Sequence, residues 1–126
     1  MDSTDWIVRE KPYDLRRRLF LFACLVVRVV QFLHTRGPVA TALSYQVLKS
    51  GTSAAANYEE ADDGSSDRDK VAKKRIVLRE LKESRVRLRI LRECGFLTAA
   101  QNPVLAENDE LIRILATVIR NSKAGA

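Results

Sequence analysis

The chain is poor in the residues that build catalytic and metal sites. Its 126 residues hold one histidine, His34, and two cysteines, Cys24 and Cys94. Their separation matches no zinc or redox spacing and does not demand an oxidising compartment. Cys24 lies inside an apolar run and reads as a small core residue, whereas Cys94, beside Gly95 at a helix end, is expected to be partly exposed. Ser50, Thr52 and Ser53 have no histidine or lysine base in a recognisable nucleophile pattern, and neither a phosphate loop nor a dinucleotide fingerprint occurs. Carboxylates do cluster at Glu59, Glu60, Asp62 and Asp63, but beside a glycine turn such a group caps or repels more readily than it coordinates. The expectation is therefore no enzyme, no metal and no cofactor. Aromatic side chains are only 6% of the total, too few for a base-stacking platform, and neither a zinc finger nor an RNA-recognition signature is present.

Long apolar runs are also missing. Arg16-Arg17-Arg18 followed by nine apolar residues, Leu19 to Val27, imitates a targeting signal. The basic residues sit too far into the chain, however, and Arg28 and Gln31 interrupt the run before it could span a bilayer. A cytoplasmic protein without a membrane segment is expected. What the chain has in quantity is apolar (46%) and charged (30%) residues with few prolines and glycines, the composition of a helical globular domain. Its length suits one domain with a core of its own. A net charge of +6 and an isoelectric point near 9.7 raise the prospect of a polyanionic partner.

Four helical segments follow one another. The first starts near Pro12 and runs to about Thr35, with Leu15, Leu19, Phe22, Val26, Val29 and Leu33 in a 4-3 seam. Phe20, Leu21, Leu25, Val27, Val30 and Phe32 make it apolar nearly all round, more than one small bundle easily covers, which points to oligomerisation. Gly37-Pro38 marks a break and restart. The second segment runs from Pro38 to about Asp63, its seam Ala40, Leu43, Val47, Ser50, Ala54, Asn57 and Ala61 mostly small. Gly51 is expected to bend or loosen it, and Asn57 to make a buried, register-fixing hydrogen bond. The third spans Asp67 to Glu93, capped by Ser65, Ser66 or Asp67 and ended by Gly95. The fourth runs from about Pro103 or Val104 to Ser122, with Leu105, Asn108, Ile112, Leu115, Ile119 and Ser122 as its seam and Leu111, Ile114 and Val118 widening it. Short connections favour an antiparallel up-down four-helix bundle over residues 13–123, with an N-terminal extension at 1–12 and a tail at 124–126.

The third segment is the most informative. It carries eleven basic and five acidic residues, a surplus equal to that of the whole chain. On a helical projection Arg68, Lys74, Arg75, Arg79, Lys82, Arg85, Arg89 and Arg92 fall within an arc of about 140°. Val77, Leu81, Ser84, Leu88 and Leu91 occupy the opposite side. Local pairs such as Glu80 or Glu83 with Arg87 would hold part of a solvated face, and Val71, Leu78 and Val86 within the arc suggest contact with a neighbouring subunit. The eight cations are the candidate nucleic-acid-binding residues.

Leu48 to Ala61, reading LKSGTSAAANYEEA, resembles a helix-two signature. Arg75 to Arg85 and Leu105 to Leu115 are similar to two further helices of the same family, the bacterial four-helix-bundle proteins. This family includes the 23S rRNA intervening-sequence proteins and the accessory variability determinants of diversity-generating retroelements. The likeness extends from Tyr13 to Lys123. It implies an all-α bundle assembled as a homopentameric barrel with a basic surface, and, for retroelement members, binding of nucleic acid and of a partner reverse transcriptase. It implies no catalytic residues. Val86-Arg87 stand where the family often has an aromatic pair, and Ala55 where a small residue or glycine is common. The sequence thus favours a non-catalytic, self-associating bundle that binds RNA or DNA through clustered cations. The rival is a scaffold whose basic helix is consumed by subunit packing or an acidic protein.

Overall fold

The computed structural model describes residues 6–8 and 10–122. Asp14 accepts a hydrogen bond from the Arg16 amide at 3.0 Å and so starts α1 (Leu15–Leu33) three residues after Pro12. Gly37 and Pro38 open α2 (Pro38–Asp62). Ser66 caps α3 (Asp67–Glu93) through the Asp69 amide at 3.1 Å. At its far end Gly95, with φ of 83°, lets the amides of Phe96 and Leu97 return to the Leu91 carbonyl at 2.9 and 3.2 Å. Thr98 and Gln101 form a capping box at a 3₁₀ turn, Ala99–Gln101, that leads into α4 (Asn102–Asn121). Each helix packs on the next, α1 and α4 close the ring more thinly, and no strand occurs among the described residues. The fold is an all-α, up-down four-helix bundle.

The expected α1 seam is the observed one: Leu19, Phe22, Val26, Val29 and Leu33 are fully buried and Leu15 half-buried. The α2 seam is largely the expected one: Ala40, Val47, Ser50, Ala54 and Ala61 are buried and Ser44, Gly51 and Tyr58 join them, while Leu43 is exposed and Asn57 only half-buried. α2 comes closest to α1 at a glycine: a Cβ on Gly51 would stand 2.7 and 2.8 Å from the two methyl carbons of Val26. α2 runs unbroken through Gly51. Asn57 is not the register-fixing amide. That part is taken by Asn108, which is fully buried and donates to the Leu81 carbonyl at 3.1 Å, and by the buried Ser50–Ser84 hydroxyl pair at 2.9 Å.

The thin α1–α4 seam is completed by chain preceding α1. Trp6 is 2% exposed and meets Phe32 edge-on at 5.8 Å. Ile7, Val8 and Lys11 lie along Pro103, Ala106 and Glu107 of α4. Of the expected extension, residues 1–5 and 9 lie outside the described residues, as does the tail at 124–126. Within the Arg16-Arg17-Arg18 triplet, Arg18 serves the same seam. Arg16 pairs with Asp62 and Glu59 of α2, Arg17 sits 3.7 Å from Glu10 and over the Phe20 ring, and Arg18 is buried. Arg18 donates bidentately to Glu107 at 3.0 and 2.8 Å and reaches Glu110 at 2.9 Å, which Lys11 also holds at 2.9 Å. Cys24 is exposed, contrary to its core assignment, on an outward line of α1 with Phe20 and Val27. It escapes burial because α2 and α4 cover only the seam side of α1.

Truncating Trp6 to alanine is expected to cost about 3–5 kcal/mol, read as a lowered urea midpoint, whereas Tyr13→Ala at a fully exposed ring should leave it unchanged. The Glu110 carboxyl is held down to about 2 from an ordinary 4.5, first by the Arg18 hydrogen bond and then by Lys11. The unfolded chain therefore takes up this proton first as pH falls. The stabilisation is complete above about pH 4.5 and is lost towards pH 2. Melting temperature should drop across that window, and less steeply for Glu110→Gln. Equal slopes would remove Glu110 from the latch.

Candidate nucleic-acid interface

The apolar seam of α3, Val77, Leu81, Ser84, Leu88 and Leu91, is buried as expected, and this orients the basic arc. Arg68, Arg75, Arg79, Lys82 and Arg89 are exposed and make no ion pair among the described residues. Three members of the arc behave differently. Lys74 is half-buried with its Nζ 5.9 Å from the Tyr58 ring centre. Arg85 reaches Asp109 of α4 at 3.7 Å, and its Nε is buried without a partner. Arg92 donates to the Asn102 side chain at 3.1 Å. All three lie on the margin of the arc nearest the Leu81–Leu88 side, where a long side chain meets a neighbouring helix before it meets water. The eight predicted cations thus divide into an outward row of five and a margin of three committed to the bundle. Val71, placed within the arc by projection, is buried in the protomer itself.

Two cations outside the arc belong to the same surface. Arg87 forms no ion pair with Glu80 or Glu83, contrary to the local pairing expected of it. With Arg79 of α3 and Lys49 of α2 it lines a cleft of about 430 Å³, into which Gln46, Glu80 and Glu83 also project. Buried Ser50 forms part of its wall. Arg79, Glu83 and Arg87 continue into an adjoining groove of about 380 Å³ that reaches Val86 and Ile90, 51% and 49% exposed. Sequence reasoning missed Lys49 because its relation to α3 depends on antiparallel register, which the Ser50–Ser84 contact sets. The only signal was its position next to Ser50 in the helix-two signature.

That signature is explained by packing. Ser50 bonds Ser84, Gly51 accommodates Val26, Thr52 donates to the Leu48 carbonyl at 2.7 Å, and Ala54 and Ala61 are fully buried. Its acidic end is partly engaged within the protomer, since Glu59 and Asp62 pair with Arg16. No group of three or more possible metal ligands occurs among the described residues. His34 ends α1 and meets Tyr45 edge-on at 5.7 Å. No described helix is long and apolar enough to cross a membrane. Gly51→Ala should destabilise the fold by about 1–2 kcal/mol, overpacking outweighing the gain in helix propensity. In a Val26→Ala background the added methyl should cost less. Additive effects in that double-mutant cycle would show that the two residues do not compete for space.

Residues 14–117 match the family model described as 23S rRNA-intervening sequence protein. Among solved structures, the chain resembles a crystal structure of a protein of unknown function from the S23 ribosomal protein family of Bacteroides thetaiotaomicron. The two are 27% identical with a TM-score of 0.78, over 86% of this chain and 100% of that one. A comparison with curated proteins gave no match. With a family model matching most of its length and a solved relative sharing its bundle, the chain belongs to the 23S rRNA-intervening sequence protein family.

Proposed function

We propose that this protein is a non-catalytic, self-associating four-helix bundle of the cytoplasm that binds RNA or DNA through the outward row of α3, as an accessory to a nucleic-acid enzyme such as a reverse transcriptase. The observation that carries the reading is the row itself: Arg68, Arg75, Arg79, Lys82 and Arg89, exposed along one helix and unpaired among the described residues. Folding does not consume these charges, and phosphates suit them, arginine offering a planar match to two phosphate oxygens. Contacts of this kind are led by charge and shape and carry weak sequence preference. The family description, which ties its members to intervening sequences of 23S rRNA genes, supports a nucleic-acid setting. Self-association is supported by the uncovered Phe20, Cys24 and Val27 on α1; a pentamer follows the family resemblance. Repeating the row around such an assembly multiplies weak phosphate contacts into avidity.

A second reading is favoured by one feature. Ile76, Val86 and Ile90 are exposed on α3 beside the cations, as a protein-binding scaffold would have them. Light scattering with size exclusion, alone and with RNA and duplex DNA over a salt series, separates the two. Five phosphate contacts per protomer predict a loss of roughly 100- to 1,000-fold in affinity between about 50 and 200 mM salt. Arg75→Gln with Lys82→Gln and Arg89→Gln should abolish co-elution and leave the oligomer unchanged. An oligomer that ignores nucleic acid at low salt, or that dissociates in the triple variant, supports the scaffold instead.

A further inference from the structure

The cleft between α2 and α3 contains charges of both signs that form no ion pair with one another among the described residues. Lys49, Arg79 and Arg87 have no ion pair among the described residues, and neither do Glu80 and Glu83 in the same cleft. Glu83 and Arg87 are one helical turn apart, a spacing that usually permits pairing. A ligand suited to this lining must bring acceptors for the cations and donors for the carboxylates. It must also bring a flat or apolar part, because the cleft opens through Arg79, Glu83 and Arg87 onto exposed Val86 and Ile90. A nucleotide within a strand combines all three: phosphate oxygens, amino or hydroxyl donors on base and ribose, and a base face that packs on aliphatic or guanidinium surface. The volume, about 430 Å³, lies in the range of small-ligand sites.

We propose that the α2–α3 cleft seats one unpaired nucleotide of a single-stranded nucleic acid, its phosphate on Lys49, Arg79 and Arg87 and its base over Val86 and Ile90. This inference rests on the nucleic-acid reading above and narrows it. A duplex reaches the outward row with its backbone but keeps its bases stacked and paired, so it cannot fill the cleft. An acidic helix suits the lining less well, because its carboxylates bring acceptors for the cations but no donors for Glu80 and Glu83.

The test is fluorescence anisotropy of the full chain with a short single-stranded RNA, the DNA of the same sequence, and the RNA duplex. Two variants remove equal charge, Lys49→Gln/Arg87→Gln in the cleft and Arg75→Gln/Arg89→Gln in the row. A third, Val86→Ser/Ile90→Ser, removes the exposed apolar shelf without touching the core. The cleft variant should weaken single-strand binding about tenfold and reduce its salt slope by about 1.4, leaving duplex binding within about twofold. The shelf variant should weaken single strands alone, and the row variant both forms. RNA held more tightly than DNA places the carboxylates on the 2′-hydroxyl, and equal affinity places them on the base; either supports the seat. Equal losses on single strand and duplex in the cleft variant, or no loss, overturn the seat and leave the nucleic-acid reading standing. Failure of the unmodified protein to bind any probe overturns both. Binding of an acidic amphipathic peptide that the cleft variant abolishes, without single-strand binding, reassigns the cleft to a protein.

Discussion

The close approach of α2 to its neighbours is the constraint on which the rest of the bundle depends. Gly51 leaves no room for even a Cβ against Val26, and Ser50 and Ser84 share a buried hydrogen bond across α2 and α3. Together they set both separation and register. Once α2 is locked this way, the rotation of α3 is settled as well, because Leu81, Ser84 and Leu88 must face inwards. The outward row and the placement of Lys49 opposite Arg79 and Arg87 follow from a contact that contains no charge.

Electrostatics then divides into charges the fold uses and charges it leaves to solvent. Arg18 shows the first kind. It is buried, and its positive charge is favoured by a bidentate hydrogen bond with Glu107 that outweighs the desolvation cost. Such a group specifies how α1 meets α4 more than it adds stability, since burying the pair has its own cost. The α3 row shows the second kind. It makes no ion pair among the described residues, and repulsion along one helix face mildly opposes folding.

The α1–α4 seam depends on a segment outside the four helices. Trp6 fills a gap that two helices alone leave, and Lys11 joins the Arg18 cluster. This accounts for part of the apolar surplus read from α1: Phe32 is covered by Trp6, whereas Phe20 and Val27 remain open. The surplus that points to self-association is therefore smaller, and more localised, than hydrophobic content suggests.

Helix number, order and much of the capping were legible in the sequence, because 4-3 spacing, Gly37-Pro38, Ser66 and Gly95 act over a few residues at a time. The inward seam of α3 was legible for the same reason, and so was the concentration of cations on its other side. Two positions of α2 were not legible, Leu43 and Asn57, where Ser44 and Tyr58 face inwards instead. Nor could the sequence show that Lys74, Arg85 and Arg92 turn to Tyr58, Asp109 and Asn102, or that Arg87 and Lys49 share a cleft. Those relations join residues distant in the chain. Periodicity along one helix assigns a side chain to a face, but only the neighbouring helix decides whether that face meets protein, cleft or water.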